Sequence, residues 1–162
     1  MTQASAQDIA IQQSLTEETE AMNALAALLK KEQLALSNGD LNTLNQTTAN
    51  KSDLLRHIVE LEKTRGIHLS ALGFANKPEG MQDYLNKYPD NITTAQLWKD
   101  LLSVSEQAKE DNRTNGLLIN RRLSQNQAAL GVLGHGNSAG ALYGPTGQAS
   151  LGSANIKGTA PR

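Results

Sequence analysis

The sequence predicts an all-α protein: an elongated antiparallel helical hairpin, a third long helix that completes a three-helix bundle, and a flexible glycine-rich C-terminal tail. Apolar residues recur every three or four positions over residues 5–37 and again over residues 41–72, which is the spacing of one helix face. Asn38-Gly39-Asp40 separates the two stretches. Hydrophobic residues make up 38% and aromatic residues 3% of the 162 positions, which suits a thin aliphatic core.

The first predicted helix, residues 5–37, carries an apolar stripe that begins near Ile11 and ends near Leu36. Glu18 and Glu32 fall within that stripe. They either lie at its edge or mark places where the seam opens to a partner. Asn38-Gly39 readily takes a left-handed cap conformation, and Asp40 can cap the next helix by accepting a hydrogen bond from its free N–H groups.

The second predicted helix, residues 41–72, has an apolar face that includes Leu41, Leu44, Leu55, Ile58 and Leu61. Gly66 is a weak point inside it. At about 1.5 Å per residue, each of the two helices would be roughly 45–50 Å long. Two such helices bury only a seam between them, so we expect a third helix to cover that seam.

A structured crossover is predicted for residues 74–94, because Met81, Tyr84 and Leu85 stand at helical spacing between two prolines. Thr93 or Thr94 is expected to cap the third helix, which has Trp98 near its start and continues to about residue 130. The sequence thus divides into a helical bundle domain, 1–130, and a tail, 131–162, rich in Gly, Ser and Ala. Ordering a backbone costs about 1–2 kcal/mol per residue, so we expect the tail to be mobile until a partner binds.

Composition argues against several classes of function. The chain has no cysteine, and its three histidines are scattered without a supporting carboxylate, so we expect no metal site, no cofactor and no catalytic residues. The net charge of −1 is too mild for nucleic-acid binding. The N-terminus lacks a signal-like pattern and no apolar run approaches membrane-spanning length. We therefore expect a soluble, cytoplasmic protein without membrane insertion that is not an enzyme.

The most informative sequence lies towards the carboxyl end. It comprises three elements: Asn112-Arg113-Thr114-Asn115-Gly116-Leu117-Leu118, then Asn126-Gln127-Ala128-Ala129-Leu130, then Leu142-Tyr143-Gly144-Pro145-Thr146-Gly147-Gln148. The leucines of the third helix are too spread around it to face one narrow seam, which favours a surface that pairs with another helix. Asn112 and Asn115-Gly116 are interpreted as a polar layer that sets register, a small-residue notch, or exposed residues. Leu118 could equally belong to the core of the bundle.

These three elements, in this order, resemble the FlgN family of flagellar type III export chaperones. Its last long helix carries Asn-x-x-Asn-Gly-x-Leu and Asn-Gln-x-x-Leu elements, followed by Leu-Tyr-Gly-x-x-Gly-Gln. Upstream, residues 25–32 resemble the family's leucine-rich first helix. Lys51-Ser52-Asp53-Leu54-Leu55 resembles its Lys-Ser-x-Leu-Leu element. The similarity spans most of the chain.

The resemblance implies a chaperone that binds the C-terminal helical region of hook-associated proteins, which join hook to filament, prevents their premature assembly and delivers them to the export gate. The client-binding residues would be Asn115, Leu118, Ile119, Leu123, Leu130 and Leu133. The residues that bind the export gate would be Leu142, Tyr143 and Gly144. The resemblance further implies contacts with the gate's cytoplasmic domain and with its soluble escort protein. Taken without the resemblance, those three residues could instead form a hydrophobic turn that docks on the chain's own bundle.

The alternative is a structural helical adaptor with no export role. In that interpretation the same apolar stripes drive self-association into a coiled coil, as a homodimer or a larger bundle. The adaptor hypothesis predicts that the mass of the assembly rises with protein concentration. The chaperone hypothesis requires a change only when a client is present.

Overall fold

The computed structural model describes residues 5–132. They form four helices: α1, Ala6–Asn38; α2, Leu41–Ala71; α3, Pro78–Lys87; and α4, Ile92–Val132. The described part of the chain contains no strand, so the all-α prediction is confirmed. The chain divides into two compact units, Met1–Asn112 and Arg113–Arg162, with the division inside α4. The boundary predicted at residue 130 stays a prediction.

The predicted turn between the first two helices is confirmed. Gly39 has φ 67° and ψ 27°, a left-handed conformation, and its N–H donates to the carbonyl oxygen of Ala35. Asp40 then caps α2, because its side chain accepts a hydrogen bond from the Thr43 backbone N–H at 3.1 Å. These short-range contacts reverse the chain within two residues.

Two buried ion pairs join α1 to α2. Arg65 Nη1 lies 3.0 Å from Glu18 Oε2, and Lys51 Nζ lies 3.4 Å from Glu32 Oε1. The step from Glu18 to Glu32 runs forward along α1, and the step between their partners, from Arg65 to Lys51, runs backward along α2 by the same number of residues. The two helices of the hairpin are therefore antiparallel. Glu18 and Glu32 are each only 2% exposed. The expectation that they lie at the edge of the stripe or open the seam is therefore wrong, because each is neutralised by a base from the facing helix.

Within the first unit, α4 runs parallel to α1. Gln12 Nε2 donates to Thr94 Oγ1 at 3.0 Å, and Lys30 Nζ contacts Asp111 Oδ1 at 3.0 Å. The expected cap at Thr93 or Thr94 is wrong, because α4 begins at Ile92 and Thr94 is buried inside its first turns. Asp111 is only 6% exposed and is paired with Lys30 of α1.

Two apolar clusters form the core of the first unit. The first draws on all four helices and comprises Ile11, Leu15, Leu69, Met81, Tyr84, Trp98 and Leu101. The second draws on α1, α2 and α4 and comprises Ala21, Leu25, Leu29, Ile58 and Ala108. The predicted crossover is confirmed as α3, whose Met81 and Tyr84 are fully buried. Its side chains cover the open end of the hairpin, opposite the turn at Gly39.

Three details of α2 differ from the prediction. Leu41 is 72% and Leu55 38% exposed, so neither belongs to the buried face. Leu41 is the first residue of α2, next to the turn. Lys51 and Arg65, which share the spacing of the predicted face, are buried in α2 as Ile58 is. Gly66, predicted as a weak point, is a position of close approach: a Cβ there would lie 2.9 Å from the Cβ of Asn76.

Glu18 is expected to make the fold less stable at pH 8 than at pH 5. Burial raises the pKa of Glu18 to about 7 despite the opposing effect of Arg65, and the nearby Glu62 carboxylate adds to the rise. The folded chain therefore holds this proton more tightly than the unfolded chain, whose carboxyl titrates near 4.5. The free energy of unfolding should fall as the pH rises between those two values, by about 2 kcal/mol. Urea unfolding at pH 5 and pH 8 measures this difference in the free energy of unfolding.

The control for this pH dependence is the neighbouring residue Glu17, which is exposed. Glu17→Gln should keep the difference in unfolding free energy between pH 5 and pH 8, whereas Glu18→Gln should reduce it. Equal pH dependence in the wild type and in Glu18→Gln would show that the buried carboxyl does not titrate in this range.

Candidate functional site

Five of the six predicted client-binding residues lie along α4 in the second unit, and their exposure differs widely. Asn115 is 0% and Ile119 4% exposed, while Leu130 is 39% exposed. Leu118 and Leu123 are half-buried. Leu133 lies outside the described residues, as do the predicted gate-binding residues Leu142, Tyr143 and Gly144. The assignment of all these client-binding and gate-binding residues stays a prediction.

One face of α4 changes from covered to open along its length. Asn115, Ile119, Leu123, Asn126 and Leu130 follow one another at steps of four, four, three and four residues, so they share a helix face. The side chains of residues 124–131 are all exposed. The stripe that is buried at Ile119 thus continues, with the same orientation around the helix, as an exposed surface at Asn126 and Leu130. We call residues 123–130 on this face the open stripe.

The other side of the helix also carries an exposed leucine. Leu117 is 55% exposed and lies two residues from Ile119, which places it on the opposite side of the helix. Leu117 and Leu130 are therefore two exposed leucines of one helix that differ in the face they occupy. This difference supplies a matched pair for experiments.

The charge of this segment is uniformly positive. Residues 113–132 contain Arg113, Arg121 and Arg122 and no aspartate or glutamate. Arg122 stands three residues after Ile119 and four before Asn126, so it borders the open stripe. It was absent from the predicted site residues, although the same residue spacing that defined the stripe could have indicated it.

The structure excludes one of the three interpretations of Asn112 and Asn115-Gly116. Asn115 and Gly116 are buried and Asn112 is half-buried, so the interpretation of Asn115-Gly116 as exposed residues is wrong. A polar layer that sets register and a small-residue notch both require burial. Those two interpretations stay open.

Residues 5–132 contain neither a cluster of metal-binding side chains nor a helix that could span a membrane. No group of three or more His, Cys, Asp or Glu side chains in this part of the chain could hold a metal ion. No helix in the same part is long and apolar enough to cross a membrane.

Comparison with known proteins identifies the family. A family model described as FlgN protein matches residues 1–150. The chain belongs to the FlgN family. The match covers all four helices and extends through Leu142-Tyr143-Gly144, and the resemblance inferred from the sequence motifs is therefore confirmed.

Curated FlgN relatives are similar over most of their length. The flagella synthesis protein FlgN of Proteus mirabilis is 30% identical over 141 residues, which cover 86% of this chain and 89% of the relative. Those of Yersinia enterocolitica and Salmonella typhimurium are 29% and 30% identical over 148 and 139 residues, covering 86% and 85% of this chain and 88% of each relative. No solved structure matches the chain. The chain is thus a member of a flagella synthesis family.

Proposed function

We propose that this chain is a cytoplasmic export chaperone that binds the C-terminal helical region of hook-associated proteins, prevents their premature assembly and delivers them to the flagellar export gate. Membership of the FlgN family supports a flagellar role. The observation that carries the binding step is the change in exposure along one face of α4, from 4% at Ile119 to 39% at Leu130. An uncovered continuation of a buried stripe is a surface on which a second helix can pack.

The proposed mechanism is the docking of one amphipathic helix on another. The client helix lays its apolar face along the open stripe, so that Leu123 and Leu130 leave water together with the client's own apolar residues. Full burial of a leucine contributes about 1.5–3 kcal/mol, and ordering of the client subtracts from that sum. The affinity is then moderate, which suits a client that must be released during export. No covalent step is involved.

Delivery rests on the sequence motif rather than on geometry. Leu142, Tyr143 and Gly144 match the Leu-Tyr-Gly element of the family. We assign to them the contacts with the gate's cytoplasmic domain and with its soluble escort protein. Client and gate would thereby bind different segments of the chain.

Leu130→Ser is expected to weaken client binding, because it removes an apolar contact from the open stripe. The loss of part of a leucine's burial, about 1–2 kcal/mol, corresponds to a roughly five- to thirtyfold increase in Kd. Leu117→Ser changes the same residue type on the opposite face and should alter Kd less than twofold. Calorimetric titration with the C-terminal helical segment of each hook-associated protein from the same organism measures both.

Equal effects of the two substitutions would show that the client does not use the open stripe. Circular dichroism of each variant should give the helicity of the wild type, so that a change in Kd reports contact rather than unfolding. Sedimentation of the free chain addresses the adaptor hypothesis: a mass that rises with concentration without client would favour self-association over the chaperone role.

A further inference from the structure

We propose that the client helix places a hydrogen-bonding side chain, an amide or a hydroxyl, opposite Asn126, and that this pair fixes the register in which the two helices meet. This inference rests on the proposed function and names the chemistry of the partner at one position. It follows from the place of Asn126 within the open stripe.

The residues of this face have the spacing of a seam between paired helices. From Ile119 the stripe advances by four residues to Leu123, by three to Asn126 and by four to Leu130, and all of these residues lie in α4. Steps that alternate between three and four residues are those of the positions that face the partner in a coiled coil. Asn126 is therefore the one polar residue in an otherwise aliphatic seam.

A docked client would bury the amide of Asn126. The Asn126 side chain is exposed in the chain alone, and it stands between Leu123 and Leu130. A helix that covers both leucines also covers the residue between them. A side-chain amide has two N–H donors and one carbonyl acceptor, and its removal from water without new hydrogen bonds is unfavourable. The client therefore binds best when it supplies a hydrogen-bond partner at this position.

The chain itself already encloses an amide on this face. Asn115 stands eleven residues before Asn126, which is about three helical turns, so the two asparagines share a helix face. Asn115 is 0% exposed. An asparagine on this face of α4 is thus compatible with full burial in a packed structure, and Asn126 is its counterpart in the exposed part of the face.

A single polar pair selects one register among several. Leucines along a seam can pack against other leucines after the partner slides by one or two helical turns, because the apolar contact is not directional. A slide of that kind separates Asn126 from its partner and leaves two buried polar groups without hydrogen bonds. A lone asparagine at a seam position specifies register in this way, at some cost in affinity.

The test measures Kd for the C-terminal helical segment that binds in the titration above. Each Asn, Gln, Ser or Thr in the apolar stripe of that segment is also replaced, one at a time, by Leu. One replacement should weaken binding to the wild-type chain about fivefold or more, although it adds apolar surface, because it leaves Asn126 buried and unpaired. Asn126→Leu should reverse the order and bind that replaced segment more tightly than the original segment.

The matched control is Gln125→Leu. Gln125 is also an exposed amide, but it stands two residues from Leu123 and so does not share its face. Gln125→Leu should keep the wild-type order of the two segments and a difference of about fivefold between them. Both variants should have the helicity of the wild type by circular dichroism, so that a change in Kd reports contact.

Each outcome decides a separate point. The pairing at Asn126 would be overturned, and the chaperone proposal left intact, by a segment that binds without any amide or hydroxyl in its apolar stripe. The same holds if every replaced segment binds the wild-type chain as tightly as the original does. An equal reversal of order by Gln125→Leu would also overturn the pairing. No binding of any hook-associated segment to the wild-type chain would overturn both proposals.

Discussion

Arg65→Ala is expected to lower the free energy of unfolding by about 3–5 kcal/mol at pH 8. The substitution leaves the Glu18 carboxylate, 2% exposed, without its partner at 3.0 Å. It also removes the guanidinium group that lies 4.9 Å from the centre of the Trp98 ring, an attractive contact between a cation and an aromatic face. Trp98 is the single tryptophan of the chain, so its fluorescence follows urea unfolding directly.

The exposed pair of Arg56 and Asp53 is the control for this prediction. Their side chains are 79% and 73% exposed, so Arg56→Ala should cost at most about 1 kcal/mol. The double variant Glu18→Gln with Arg65→Met should be more stable than Arg65→Ala, because it leaves no buried charge unpaired. Arg65→Ala should also recover stability at pH 5, where Glu18 takes up a proton. If Arg65→Ala costs no more than Arg56→Ala, the buried pair contributes little to the fold.

The hairpin could be predicted from the sequence because its turn is decided by neighbouring residues. Gly39 takes the left-handed conformation and Asp40 caps α2 within a span of five residues. The same is true of α3, whose Met81 and Tyr84 have helical spacing between two prolines. Local hydrogen bonds and spacing are visible in a single sequence.

The buried ion pairs could not be predicted in the same way, because they depend on the register in which α1 packs against α2. Glu18 and Arg65 are 47 residues apart in the chain, and each alone looks like an intrusion into an apolar stripe. A search for bases on α2 that face the acids of α1 would have suggested the pairing. The periodicity of α2 likewise gave no reason to separate the exposed Leu55 from the buried Ile58.

The candidate site was predicted in part. Spacing identifies the face that Ile119 and Leu130 share, but it does not tell how the exposure changes along that face. The difference between 4% exposure at Ile119 and 39% at Leu130 therefore needed the three-dimensional structure. The roles of Leu133, Leu142, Tyr143 and Gly144 stay predictions from the sequence.

Client binding is expected to slow amide hydrogen exchange in residues 124–131 by about 100-fold when the client segment is present at 100 times its Kd. The side chains of these residues are exposed in the chain alone, and a docked helix would cover the face of Asn126 and Leu130. The experiment follows exchange by mass spectrometry, with and without the C-terminal helical segment of a hook-associated protein. The Leu130→Ser variant, at the same client concentration, should show less slowing.

This exchange measurement tests most directly whether the end of α4 is kept open for a client. In the chain alone, residues 124–131 should exchange faster than the core of α1 around Leu25 and Leu29, and saturating client should remove most of that difference. Exchange in residues 124–131 that is as slow as in the core before any client is added, and unchanged by saturating client, would contradict the proposed role of the open stripe.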